Sequence, residues 1–356
     1  MTTQSTALPN LFIGIDIHKK SWAVHLRTDI GEHRPMTIPA RKELLFDYVQ
    51  SNFGDHCVHV AYEAGCCGFS AARYFLSLGW RVSVVNAADI PRSDKQQYQK
   101  TDRYDCRNIS KQLSAGQLHG IYVPTEDQDE LKSLVRQRAS LTRLLRKTKT
   151  QIKALLLYHG IEIPQEFDNP NWSKAFKTWL ANLAWETEAG KLCLHSKLDL
   201  LATMHYQYLS IANSLRAYCR KHFKKDYYLL KSIPGVGGYL ASCILAEVGD
   251  LRRFDNEAQF ASFIGLVPVM YNSGGNEKIF GVTPRCRSLL RSYIIESAWV
   301  ALRRDPQMQA YYRKHVGRNP KSIIIKIARK MLNRMLSVIK REQIYKINYS
   351  PSTKSL

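Results

Sequence analysis

No apolar run in the sequence approaches the roughly 20 residues that a membrane-spanning helix requires, so no membrane span is expected. No pair of cysteines forms a C-x-x-C motif. The eight cysteines (Cys57, Cys66, Cys67, Cys106, Cys193, Cys219, Cys243 and Cys286) are scattered. That scatter offers neither a zinc site nor a disulfide framework, and a reduced, cytoplasmic protein is expected. The first residues, MTTQSTALPN, lack the basic start and long apolar core of a signal peptide. Acidic residues are scarce: 30 Asp and Glu stand against 52 Lys and Arg, a formal net charge of +22 at pH 7. Such an excess says little about fold and much about partners, with nucleic acid first and an anionic membrane surface second. Apolar residues make up 45% of 356, enough for two domains with real cores and an extension between them.

Against that scarcity four acids stand out. Asp16 ends the apolar run in LFIGIDIHKK, and Glu63 ends another in HVAYEAG. Asp102 and Asp105 lie three apart in KTDRYD, so on a helix they share one face. Around them the pattern reads as strands at 11–16, 21–28 and 34–39, a helix at 41–52 with Leu44, Leu45, Tyr48 and Val49 at helical spacing, and a strand at 57–63. A helix at 68–78, a strand at 81–86 and a helix at 101–117 follow. This βββαβαβα order is that of the ribonuclease H-like fold, whose active-site carboxylates sit on the first strand, at the end of the fourth, and on a late helix. A lone Asp after an apolar run is usually a turn residue or a cap. Four acids in register make an oxygen cage for Mg²⁺, the machinery of two-metal phosphoryl transfer.

The middle of the chain is different. From Glu126 to His159 there is neither Gly nor Pro. Leu131, Leu134, Arg138, Leu141, Leu145, Thr148, Ile152 and Leu155 follow a three-four spacing of coiled-coil type. A second seam runs through Leu194, Leu198, Leu201, His205, Tyr208, Ala212, Leu215 and Cys219, with a loop-like stretch at 162–172 between the two. Two long antiparallel helices within one chain and helices paired between protomers fit this pattern equally. Arg136, Arg143, Arg146, Lys147, Lys149 and Lys153 make the first helix basic, most simply as a solvated face.

The last region, from about 227, opens with YYLLKSIPGVGGYLASCILAEVGD, two apolar stretches joined by a Pro-Gly-Val-Gly turn. It resembles a helix-hairpin-helix, in which Gly235 and Gly237 would let backbone N–H groups approach a phosphate. The bland alternative is a plain packing unit. A polar loop, Asn272-Ser273-Gly274-Gly275, precedes a helix starting near Thr283-Pro284 with Arg285, Arg287 and Arg291. Ser-Gly-Gly alone is usually a turn, yet an exposed Ser273 near guanidinium groups could attack a phosphate or hydrogen-bond one. The final helix sets Ile324, Ile327, Met331, Met335 and Val338 against a basic face with Lys326, Arg329, Lys330, Arg334 and Lys340. The expected architecture is therefore α/β: a ribonuclease H-like domain at 1–125, a helical coiled-coil arm at 126–226, and a mainly α-helical domain with a helix-hairpin-helix at 227–356.

GIDIHK at 14–19, YEAG at 62–65, TDRYD at 101–105, IPGVG…AEVGD at 233–250 and GLVP…SGG…GVTPRCRSLLR at 265–291 together resemble one family. It is the DEDD transposases of insertion sequences mobilised by a bridge RNA, relatives of the pilin-gene DNA invertases. The resemblance implies an N-terminal domain similar to the Holliday-junction resolvase RuvC, with Asp16, Glu63, Asp102 and Asp105 as catalytic metal ligands for Mg²⁺. It further implies that Ser273 is the nucleophile, that target and donor DNA and a structured noncoding guide RNA are partners, and that the protein works as a homo-oligomer, a dimer or a tetramer. Many relatives carry basic residues shortly after the Ser-Gly pair, whereas this chain has Asn276-Glu277-Lys278. The expected activity is an RNA-guided DNA recombinase that excises and inserts an insertion sequence. The alternative is a RuvC-like metal-dependent junction-resolving nuclease with a purely structural Ser273. A catalytically dead nucleic-acid-binding scaffold is disfavoured, because uncompensated buried carboxylates are costly.

Overall fold

A computed structural model describes residues 8–91, 101–273 and 276–347, with the backbone alone for 270–280. The chain divides into two compact units, Met1–Thr125 and Glu126–Leu356.

In the first unit the short apolar segments of the sequence become one five-stranded sheet. Its strands are β1 (Asn10–Ile17), β2 (Ser21–Thr28), β3 (Met36–Pro39), β4 (Cys57–Glu63) and β5 (Arg81–Val85), in the order β3-β2-β1-β4-β5. The β1–β2 and β2–β3 pairs are antiparallel, and the β1–β4 and β4–β5 pairs are parallel. Helices α1 (Lys42–Phe53), α2 (Ser70–Ser77) and α3 (Asp102–Ser114) complete the βββαβαβα order. Because strand side chains alternate, Leu11, Ile13 and Ile15 share a face with Val24, Leu26, Val60 and Tyr62. All of them are buried against Leu45 and Val49 of α1 and Ala71, Ala72 and Phe75 of α2. The opposite face is thinner. It offers Gly14 and Ala61 to α3, and Ala61, Val85, Ile90 and Ile109 form a small core there.

The second unit begins with the long helix α4 (Glu126–Tyr158), joined through α5 (Lys174–Ala181) to α6 (Glu188–His222). The two long helices pack on each other within the chain. Leu141, Leu145, Ile152 and Leu156 meet Leu194, Leu201 and Met204, while Phe176 and Leu180 of α5 close the same core. Helix α5 is not announced by the sequence pattern; its start is fixed by Ser173, whose Oγ accepts from the Phe176 N–H at 3.1 Å. Then follow α7 (Lys224–Lys231), α8 (Gly238–Val248), α9 (Glu257–Ile264), the hairpin β6 (Pro268–Ser273) and β7 (Asn276–Val282), α10 (Ser288–Arg304), α11 (Pro306–Lys314) and α12 (Pro320–Arg341). Helix α8 is apolar almost all round and is buried from Leu240 to Val248. Leu131 and Val135 of α4 and Leu215 and Cys219 of α6 join its core. The hairpin replaces what reads in the sequence as a loop. No helix among the described residues is long and apolar enough to cross a membrane.

Candidate metal centre

The parallel register of β1 and β4 ends at Ile15 opposite Tyr62, so Asp16 and Glu63 are the next residues on neighbouring strands. Counting by twos from Gly14 and Ala61, both acids belong to the face that α3 covers. Helix α3 carries Asp102 and Asp105 in its first turn. Two features hold it close to the sheet. A Cβ on Gly14 would stand 2.1 Å from the Cys106 carbonyl oxygen and 2.4 Å from the Ser110 nitrogen, so only glycine allows the approach. Beside it, buried His25 on β2 places Nδ1 2.6 Å from the Ser110 Oγ.

Asp16, His18 and Asp102 bring one ligand atom each within 4.8 Å of one another. His18 Nε2 lies 3.2 Å from Asp16 Oδ2 and 3.5 Å from Asp102 Oδ2. Burial pushes the Asp16 carboxyl above its ordinary range, His18 opposes this, and Asp102 and Asp105 push it further up. Glu63 and Asp105 lie outside the three-residue cluster, though Asp105 is near enough to act on Asp16 and Glu63 occupies the adjoining strand end. Sequence reasoning does not single out His18; its one signal is its position two residues after Asp16 in GIDIHK. The donor set, carboxylate oxygens with one imidazole nitrogen around an excess of negative charge, fits a hard divalent cation such as Mg²⁺ or Mn²⁺.

The other expected residues lie in the second unit. Ser273 ends β6, its backbone paired with Asn276 across the hairpin; Gly274 and Gly275 of the expected loop lie outside the described residues. Gly235 has φ +92° and presses on α10, where a Cβ would stand 2.6 Å from the Ser297 carbonyl oxygen. Gly237, at the start of α8, faces open space. Arg291 donates to the carbonyls of Gly265 and Thr283 at 3.1 and 2.6 Å, and Arg329 makes a two-bond pair with Glu257 at 3.0 Å. Both guanidiniums are thus engaged inside the fold. Arg285, Arg287, Lys326 and Lys330 are not buried, Arg287 lying over the Phe263 ring and Lys330 over Tyr311.

A five-stranded sheet with carboxylates at adjoining strand ends and on a covering helix is compatible with a nuclease-like domain of the DEDD type. Comparison with known proteins agrees. Residues 13–160 match a DEDD transposase model of the IS110 type, and residues 227–313 match the "Transposase IS116/IS110/IS902 family". The chain belongs to this IS110/IS116 family of transposases, the two models matching in order along it. It is 30% identical over 242 residues to the y4qE protein of Sinorhizobium fredii, covering 68% of this chain and 58% of that one. The chain thus spans under two thirds of that relative's length. To the transposase for insertion sequence element IS1328 of Yersinia enterocolitica it is 27% identical, over 83% of this chain and 86% of the relative. To the pilin gene-inverting protein of Moraxella bovis it is 23% identical, over 93% and 96%.

Proposed function

We propose that the protein is a DNA recombinase that excises and inserts an insertion sequence, with a structured noncoding RNA choosing the sites. The observation that carries the reading is the convergence of Asp16 and Asp102, with His18 between them, at the strand end beside Glu63. Asp16, Glu63, Asp102 and Asp105 would hold Mg²⁺, in a two-ion site, with His18 touching two of the ligands. The bound ions would supply charge stabilisation at the scissile phosphate and its leaving oxygen. The Ser273 hydroxyl would attack phosphorus, forming a serine–phosphate ester as the strand's P–O bond breaks; the proton from Ser273 ends on the departing oxygen. The reverse step rejoins a strand without external energy. Relatives named as transposases and as pilin gene-inverting proteins support strand exchange over simple hydrolysis. The basic composition supports DNA and RNA as partners. Ser273 and the acids belong to different compact units, and we take the working form to be a homo-oligomer in which one protomer can complete another's site.

The test is denaturing electrophoresis after reaction with labelled element-end DNA, guide RNA and Mg²⁺. A protein–DNA adduct is expected with the parent, absent with Ser273→Ala, and absent with EDTA. Mixing Asp16→Asn with Ser273→Ala protein should restore part of it. Cleavage by Ser273→Ala at the parent's rate would transfer the assignment to a hydrolytic, resolvase-like nuclease.

A further inference from the structure

The adjacent thiols of Cys66 and Cys67 take no part in the chemistry proposed above. They follow Glu63 closely, in YEAGCCG. A backbone bond from the Gly68 N–H to the Gly65 carbonyl, at 3.3 Å, closes a turn in which the two cysteines are the central residues. Gly68 has φ +64°, a left-handed conformation that glycine adopts without strain. Its carbonyl accepts from the Tyr62 hydroxyl at 3.0 Å, which ties the turn to a side chain only 1% exposed. Cys66 is exposed and Cys67 is half-buried, with its Sγ 4.0 Å from the Ile17 carbonyl oxygen. Ile17 lies between Asp16 and His18. The thiols thus stand beside the acidic centre without joining it, since the cluster of Asp16, His18 and Asp102 includes neither.

The two Sγ atoms are 3.9 Å apart. That separation decides between two thiol chemistries. A disulfide needs its sulfurs at about 2.0 Å and its Cα atoms at least about 4.4 Å apart, whereas neighbouring Cα atoms across a trans peptide are held at about 3.8 Å. A tetrahedral cation with metal–sulfur bonds of about 2.3 Å sets two thiolates about 3.8 Å apart. The pair therefore stands at the spacing of two ligands on one ion and needs no further closure. Burial first, and Cys66 beside it second, hold the Cys67 thiol above its ordinary value. A dication between the sulfurs removes the repulsion that two adjacent thiolates would otherwise feel.

We propose that Cys66 and Cys67 form a second metal site, for a thiophilic divalent cation such as Zn²⁺ or Cd²⁺. Each thiol releases its proton to solvent and each sulfur donates an electron pair to the ion. One bound ion thus displaces two protons and leaves the net charge of the site unchanged. The remaining coordination positions stay open to water. Ligand softness separates the two neighbouring sites: carboxylate oxygens suit Mg²⁺, and thiolates take the softer ion. The sequence pattern offers no zinc motif because the ligands are adjacent, and it is the closed turn that sets their spacing. The proposal does not depend on the recombinase reading.

The test is titration of the reduced, metal-free, full-length protein with Cd²⁺ in an excess of Mg²⁺. The readouts are the thiolate-to-Cd²⁺ charge-transfer absorption and the protons released. One ion per chain and two protons per ion are expected. Cys66→Ser and Cys67→Ser should each lose the band. Cys66 is exposed, so Cys66→Ser should keep the parent's urea midpoint and separate loss of the site from loss of the fold. Cys193→Ser removes another exposed thiol and should keep the band, as should Asp16→Asn. No band, a band that Mg²⁺ abolishes, or a band that survives both turn variants overturns the proposal. Loss of the band in Cys193→Ser or in Asp16→Asn overturns it as well. A chain that binds Cd²⁺ as proposed yet forms no serine adduct fails the recombinase reading alone.

Discussion

Replacing Gly14 by alanine adds one methyl group at the tightest contact between β1 and α3. The added carbon would sit 2.1 Å from the Cys106 oxygen, 2.4 Å from the Ser110 nitrogen and 3.0 Å from the Ser110 Cβ. The two nearest atoms are backbone, so no rotamer change relieves them. Ordinary van der Waals contact begins near about 3.5 Å, so α3 must retreat from the sheet by about 1 Å. Overpacking of this kind costs about 1–3 kcal/mol, read as a lower urea midpoint. The retreat also stretches the 2.6 Å His25–Ser110 contact and carries Asp102 and Asp105 away from Asp16. A misplacement of about 1 Å among reacting groups can cost about 10²-fold in rate, so adduct formation should fall much further than stability does. Gly31→Ala is the control, because nothing stands within 4 Å of the added carbon and both readouts should be unchanged. A Gly14→Ala protein with the parent's midpoint and the parent's rate would refute the placement of α3 on the acidic face.

Three further outcomes are expected. Gly235→Ala combines a left-handed backbone at φ +92° with a Cβ 2.6 Å from the Ser297 oxygen, and should lose at least about 2 kcal/mol by urea denaturation; a loss of only a few tenths would contradict the close packing of α10. Asp305 is fully buried, pairs with Arg334 and accepts from the Gln307 N–H at 2.9 Å, so Asp305→Ala strands a largely buried guanidinium and should cost about 3–5 kcal/mol; a midpoint within error of the parent would sink this. Burial holds the His25 imidazole below its ordinary value of 6.5, with Glu32 opposing and Arg107, Arg27 and His33 adding to the effect. The unfolded chain therefore takes up this proton first on acidification: the contribution of His25 is complete above about pH 6.5 and is lost as pH falls through the range below it. His25→Gln should flatten the pH dependence of stability between about 7 and 5, and an unchanged slope would remove His25 from the account.

Where the sequence is legible, simple periodicity carries the signal. Apolar runs over 11–16 and 57–63 mark β1 and β4, alternation over 21–28 marks β2, and each of the two strand-end acids follows an apolar run that must be buried. The parallel neighbourhood of β1 and β4 then follows from the element order. His18 is not legible, because an isolated histidine in a turn has no pattern; it acquires meaning only when α3 brings Asp102 to it. Basic residues mislead for a related reason. A sequence cannot tell a solvated Arg from one committed to a carboxylate 72 positions away, as Arg329 is to Glu257. The hairpin β6–β7 hides among polar and glycine residues whose pairing depends on each other and not on either strand alone. Gly238 is not singled out by pattern either; a Cβ there would stand 2.4 Å from the Tyr227 hydroxyl oxygen, a contact only the fold reveals.

On the proposed reading, the chemistry each unit must do divides the labour between them. On that reading the four acids are ligands of a divalent cation, which have to be fixed within fractions of an ångström; Asp16 and Glu63 sit at the ends of central strands, and Asp102 and Asp105 on a helix held close by Gly14 and His25. A nucleophile has the opposite requirement, since it must meet phosphorus only when the DNA strand is in place. Ser273 stands at the end of β6, which among the described residues pairs with β7 alone in a two-stranded sheet, and such a pair by itself is marginally stable. A hydrolytic nuclease gains nothing from a serine there, because metal-bound water already serves as the attacking group. A recombinase gains the ability to keep the broken bond's energy in a covalent link until the new partner strand arrives. If Ser273 is the nucleophile proposed above, the acids of one unit and the serine of the other would together serve strand exchange, whereas hydrolysis has no use for the serine.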